Sequence, residues 1–243
     1  MSKINLALPC WAPPEFPEGG RLQLTPEQVN ANYRKQIVEE KQYRERLSLQ
    51  AGKRVVPPCC HSLHISLFFD GTGNNEKNDT DFANPPHPTN IARLYHATYQ
   101  DAESQGYFRY YMPGVGTPFP KINEFGYSGA GLKYAAGGED RINWALLRLV
   151  DALMIAVTPA RQGLNDGVAR EQIAAMRARW PLDDGGDNRR RAITSLLQPL
   201  RARVSRAQPQ PLALKLFIYG FSRGAAAART FVSWLSALFT DPD

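Results

Sequence analysis

Three short apolar runs stand out along the chain, at residues 63–69, 107–112 and 213–219. Each is bounded by turn-forming residues and is too short for a globular helix, so the pattern predicts three β-strands. The third run is apolar on both faces, which predicts a central place in its sheet. Between the strands the period changes to that of a helix. Ile142, Leu146, Leu149 and Leu153 form a stripe along 139–157, with Asp140, Arg148 and Asp151 opposite it, the pattern of a helix covering a sheet. Thr89 is placed to cap a helix over 90–99. Thr25-Pro26-Glu27-Gln28 reads as a capping box opening a helix that runs to about Leu49. Strands alternating with helices give an α/β fold class.

Chemistry enters where the strands end. The third strand runs into Gly220-Phe221-Ser222-Arg223-Gly224, followed by small residues and then by Phe231, Val232, Trp234, Leu235 and Leu238 at helical spacing. Roughly one chain in ten of this length carries G-x-S-x-G by accident. Strand, motif and helix in succession make it a nucleophile elbow, with Ser222 as the catalytic residue and Gly220 and Gly224 permitting the sharp turn. The Arg223 N–H is then free to donate to a developing oxyanion. The first strand ends in Asp70-Gly71-Thr72-Gly73-Asn74-Asn75, a tight loop whose amides point outward. A phosphoaspartate role for Asp70 is disfavoured, because Thr72 stands where a second Asp would act as general acid.

Composition narrows the setting. The chain has 243 residues, 43% hydrophobic and 21% charged, and a net charge of +6. No apolar run reaches the ~18 residues needed to span a bilayer, and the N-terminus lacks the pattern of a signal peptide. Cys10, Cys59 and Cys60 make no disulfide framework, which suits synthesis in a reducing cytoplasm. Cys59-Cys60-His61 with His64 lacks the usual zinc spacing, so no metal site is expected. Residues 160–210 carry Arg189-Arg190-Arg191, Arg201, Arg203 and Arg206 on two expected helices, near 168–179 and 188–206. They read as a solvated basic insertion, with anionic phospholipid headgroups as the functional alternative. Nucleic-acid binding is poorly served there, because Trp180 stands nearly alone as a base-stacking aromatic.

A serine nucleophile needs a base and an orienting acid, and in hydrolases with this elbow both follow the serine. After Ser222 the sequence holds no His, and its only acids are Asp241 and Asp243; His61, His64, His87 and His96 all precede it. The expectation is the nucleophile half of a site, in a sheet incomplete at its C-terminus.

Phe69–Asn75, Thr89-Asn90, Pro113-Gly-Val-Gly-Thr117, the loop Gly126–Gly138 and Gly220–Gly224 with Ala225–Arg229 together resemble the catalytic alpha/beta-hydrolase domain of type VI secretion phospholipase effectors. The resemblance covers roughly residues 60–160 and 210–240. It implies an alpha/beta-hydrolase-like sheet with flanking helices. Residues 1–58 would form an N-terminal arm and helix, and 59–243 the N-terminal part of the hydrolase domain. It implies a phospholipase A-type antibacterial effector without cofactor, with Ser222 as nucleophile and Gly71 or Thr72 as second oxyanion donor. The substrate would be the phospholipid membrane surface, and the partners a secretion-spike or adaptor protein and an immunity protein. Export would be by type VI secretion into a target cell. The rival reading is a truncated, inactive hydrolase-like binding module.

Overall fold

The structure, a computed structural model, describes residues 25–50, 60–100, 103–158, 160–178, 185–208 and 210–239. The expected arm before Thr25, Cys59, Trp180, Asp241 and Asp243 lie outside them. The chain divides into two units, 1–46 and 47–243.

In the first unit, helix α1 (Pro26–Gln50) begins with the expected box. Gln28 N donates to Thr25 Oγ1 (3.3 Å), and Thr25 N donates to Gln28 Oε1 (2.9 Å). Tyr33, Ile37 and Val38 are exposed along it.

The second unit is built on a parallel sheet of β1 (Cys60–Phe69), β2 (Tyr107–Met112) and β3 (Gln210–Gly220), in the order β2-β1-β3. All three expected strands are present, but their order differs from the expectation. The central strand is β1, with Leu63, Ile65, Leu67 and Phe69 on one face and Phe68 on the other fully or almost fully buried. β3 lies at an edge of the sheet formed by the described residues, and Leu214 and Phe217 on its two faces are 42% and 41% exposed. An apolar run reports the burial a strand is suited to, not which neighbours it has.

The face of β1 carrying Leu63 to Phe69 packs on α4 (Gly138–Val157) and α8 (Arg223–Phe239), with Phe69 against Phe231. The other face meets α2 (Asn90–Ala97), where Phe68 packs on Tyr95 and stacks on Tyr219. Thr89 caps α2 as expected, accepting from Ala92 N (3.1 Å). A short helix, α3 (Gly129–Tyr134), interrupts the expected glycine-rich loop, and Ser128 caps it.

Helix α4 is not amphipathic in place. Asp140, Arg148 and Asp151 are buried together with the apolar stripe. A second layer of helices, α5 (Asp166–Met176) and α6 (Gly186–Leu197), puts Ala169, Ile173, Met176 and Ala192 into the same core. The carboxylates of the polar face are paired inside the molecule, while Arg148 pairs with Asp151 through Nη1 alone (3.3 Å). Asp151 accepts from Tyr110 OH (2.9 Å) and Leu164 N (2.6 Å), and Asp140 takes both arms of Arg177 (2.7 and 2.5 Å). That fork raises the Arg177 pKa above its usual value.

The helices of 160–210 thus form a packed layer rather than a solvated insertion. α7 (Arg201–Arg206) completes them. Arg189 is 2% exposed, its guanidinium 3.6 Å over the Trp234 ring, and Arg190 donates to Ala237 O (2.9 Å). Arginines that look like a solvated run are in part core ion-pair and stacking residues.

Candidate functional site

Parallel pairing brings Phe69 level with both Met112 and Gly220, so the three strands end together. The loops that follow, 70–75, 113–117 and 221–222, therefore lie side by side at the carboxyl ends of the strands, where α/β folds bind ligands.

Ser222 stands between β3 and α8 with φ +53°, a left-handed conformation unusual for a residue with a Cβ. It is exposed, and among the described residues no side chain hydrogen-bonds to its hydroxyl. Gly220 and Gly224 make the turn possible. A Cβ on Gly220 would overlap Ala225, and one on Gly224 would overlap the Asp70 and Phe69 carbonyls. Phe221 N donates to Phe69 O (3.0 Å), and a Cβ on Gly71 would lie 2.5 Å from the Phe221 ring. The serine turn and the 70–75 loop are thus in backbone contact.

Within that loop the amides are mostly committed. Asp70 N donates to Met112 O, Gly71 N to Asp70 Oδ1 (2.7 Å), Gly73 N to Val115 O and Asn74 N to Gly71 O. Thr72 N has no acceptor, and neither has Arg223 N at the first position of α8. Of the two alternatives for a second oxyanion donor, Gly71 is occupied by the neighbouring carboxylate and Thr72 is free. The Thr72 hydroxyl is buried without a partner as well.

Asp70 is 2% exposed and organises the loop rather than facing a ligand. Besides Gly71 N, its carboxylate accepts from Thr89 Oγ1 (2.7 Å) and Tyr111 OH (2.6 Å). Tyr111 OH in turn accepts from Glu76 N (2.9 Å). One carboxylate therefore ties together the end of β1, the cap of α2 and strand β2. Burial, then the adjacent Asp70 charge and its hydrogen bond, pushes the Tyr111 pKa well above the usual tyrosine range, so it stays a donor.

Arg141 of α4 does the same for the second loop. It is 3% exposed and donates to Pro113 O (2.8 Å), Thr117 O (2.9 Å) and Gly137 O (3.1 Å), and it pairs with Glu124 (2.7 Å). Burial draws its pKa below the usual arginine value, and Glu124 opposes that shift. A cavity of about 20 Å³ between Asp70, Pro113, Arg141, Arg223 and Gly224 lies under the serine turn.

The Arg223 side chain donates through Nη2 to Leu132 O of α3. Three of the four histidines are engaged elsewhere, and the side chain of His61 lies outside the described ones. His64 packs on Tyr107 and Phe217, His96 pairs with Glu76 (2.7 Å), and His87 Nδ1 lies 3.1 Å from Pro85 O. Among the described residues no group of three His, Cys, Asp or Glu side chains could hold a metal ion. The structure thus brings together Ser222, Arg223, Gly220 and Gly224 with Asp70, Gly71 and Thr72. Sequence reasoning missed Tyr111 and Arg141. A tyrosine in a strand and an arginine on a helix carry no motif, and only the fold aims them at the loops.

A crystal structure of an uncharacterized protein from Pseudomonas aeruginosa is similar at 38% identity and a TM-score of 0.78, over 95% of this chain and 31% of that one. The chain thus spans about a third of that protein's length. No curated protein matches it. The family model of the T6SS phospholipase effector Tle1-like catalytic domain matches residues 64–150, which hold β1, the Asp70 loop, β2, the Arg141 clamp and most of α4, while Ser222 lies outside the match. Over those residues, then, what this chain matches is the catalytic domain of the Tle1-like phospholipase effectors of type VI secretion.

Proposed function

We propose that this chain carries the nucleophile half of an alpha/beta-hydrolase-like lipase site, and that Ser222 attacks the acyl ester of a phospholipid. The observation that carries the reading is Ser222 itself. Its φ of +53° presents an exposed hydroxyl between a strand and a helix, against a loop of the segment that matches the phospholipase family. Holding that conformation costs stability, and such strain concentrates at functional sites.

In the reaction, Ser222 Oγ bonds to the acyl carbonyl carbon while a general base takes its proton. The carbonyl oxygen becomes an oxyanion and accepts from the free N–H groups of Arg223 and Thr72. Collapse of this intermediate breaks the bond to the glycerol oxygen, which leaves as the lysophospholipid alcohol with the proton held by the base. Water then attacks the acyl-serine and gives a proton to the same base; the second intermediate collapses by breaking the bond to Ser222 Oγ, the base returns the proton to Oγ, and the fatty acid leaves. The base and its orienting acid come from outside the described residues, since the described histidines are engaged elsewhere. As a type VI effector the protein acts on the membrane of a target cell. Spike, adaptor and immunity proteins are its expected partners.

The test is labelling by a fluorophosphonate probe together with acyl release from phospholipid, on protein that includes the residues supplying the base. Both should disappear in Ser222→Ala. Turnover that survives in that variant would falsify the assignment. A folded protein that neither labels nor turns over would favour the inactive binding module.

A further inference from the structure

The end of the sheet that carries Ser222 is surrounded by exposed aromatic residues. Phe125, Tyr127 and Tyr134 are 70%, 61% and 73% exposed, Leu132 is 40% exposed, and Phe221, next to the serine, is 52% exposed. Large apolar side chains this exposed, four of them within the ten residues 125–134, mark an interaction surface. Their position is fixed by contacts already described and a few more. Ser128 N donates to Gly116 O (3.0 Å), Leu132 packs on Gly116 and Gly73, and the Arg223 side chain reaches Leu132 O. Asn78 Nδ2 donates to Tyr127 OH (2.6 Å), which ties the segment to the turn after the Asp70 loop. The segment 125–134 is therefore seated on the loops that follow β1, β2 and β3.

Its chemistry selects the occupant. Residues 125–138 contain Lys133 and no acidic residue. Lys133 lies with its ammonium 5.1 Å from the centre of the Tyr134 ring, a charge at the tip of an apolar side chain. Cβ atoms at Gly126 and Gly129 would meet nothing within 4 Å, so the segment is open to the outside. Aromatic rings mixed with tyrosine hydroxyls and a lysine suit the boundary between acyl chains and headgroups. The basic helices of 160–210 are the other candidate for this role, but Arg177, Arg189 and Arg190 are committed within the fold, and the exposed Arg201, Arg203 and Arg206 lie on α7, just before β3 begins, at the end of the sheet away from Ser222.

We infer that the rim formed by Phe125, Tyr127, Leu132, Tyr134 and Phe221, with Lys133, is the surface by which the protein seats on an anionic phospholipid bilayer, with Ser222 facing the lipid. This rests on the lipase reading for its substrate. It is tested by binding, so the two can fail separately. The experiment is flotation of the Ser222→Ala full chain with vesicles of phosphatidylglycerol and phosphatidylethanolamine. Into that background go the double substitution Phe125→Ser, Tyr134→Ser and the single substitution Lys133→Glu. Both aromatic positions are exposed, so the fold should hold, which circular dichroism checks.

The double variant should partition about tenfold more weakly. Lys133→Glu should weaken binding to these vesicles and leave binding to phosphatidylcholine vesicles unchanged. With Ser222 restored, in protein that includes the residues supplying the base, the double variant should lose hydrolysis of vesicle lipid and keep hydrolysis of a soluble short-chain ester. Flotation of the double variant equal to the parent overturns the inference, as would binding that needs an added protein. A protein with Ser222 and the residues supplying the base that binds vesicles through the rim but hydrolyses no ester leaves the rim in place and removes the lipase reading.

Discussion

Ser222 is held where its own Cβ is least welcome. At φ +53° a residue with a Cβ is strained by about 1 kcal/mol or more, and glycine is not. Ser222→Gly should therefore raise the free energy of unfolding by about 1 kcal/mol, while Ser222→Ala leaves it nearly unchanged. Urea denaturation of the two variants checks this, and a Ser222→Gly protein no more stable than Ser222→Ala would rule the strain out. Tyr111 makes the opposite case, a residue whose function is support. Tyr111→Phe removes a donor to Asp70 and the acceptor of Glu76 N, and should cost about 2 kcal/mol. It should also alter the alkaline limb of stability. Unfolded, tyrosine ionises near pH 10.0, and in the folded protein Tyr111 ionises later. The folded state then holds more protons above that pH, so its stability falls as pH rises through and beyond 10. Tyr110, raised for the same reasons beside Asp151, adds to the fall. Replacing both with Phe should flatten the loss, measured as melting temperature against pH.

At the scale of elements, the contacts between loops are made through glycines. Gly114 lies directly over the Gly71 carbonyl, and a Cβ there would overlap it. Gly114→Ala should destabilise by about 3 kcal/mol or more, because backbone rather than a flexible side chain must move. A melting temperature within a degree or two of the parent would mean the loops are not so tightly joined. The elements themselves were largely legible in the sequence. The three strands, the α1 capping box and the Thr89 cap rest on local chemistry, and local chemistry is what a sequence displays. Two features were not legible. Asp140, Arg148 and Asp151 look like a solvent face because helical periodicity gives an angle but not what lies there; α5 and α6 lie there. β3 looks central because both its faces are apolar, yet Leu214 and Phe217 are more than a third exposed.

At the scale of the molecule, the site is divided between distant parts of the chain. Ser222 and its glycines were legible because a strand, a five-residue motif and a helix follow one another directly. The Asp70 loop was legible as a loop. Its support by Tyr111 and Thr89, and that of the 113–117 loop by Arg141, depends on parallel pairing and on α4 crossing behind the sheet. Histidine placement gives a prediction at this scale. His64→Gln and His96→Gln should leave fluorophosphonate labelling of Ser222 unchanged, since one ring packs between Tyr107 and Phe217 and the other pairs with Glu76. Loss of labelling in either variant, with the fold intact, would place the general base within this chain.

The pairing of Phe69 with Gly220 joins residues roughly 150 positions apart. Ribosomes add about 5–20 residues per second, so roughly ten to thirty seconds separate synthesis of the Asp70 loop from synthesis of the serine turn. During that interval the nascent chain carries a supporting loop and no nucleophile. If Ser222 acts as proposed, no acyl chemistry can begin at this end of the sheet until β3 has been translated and added beside β1.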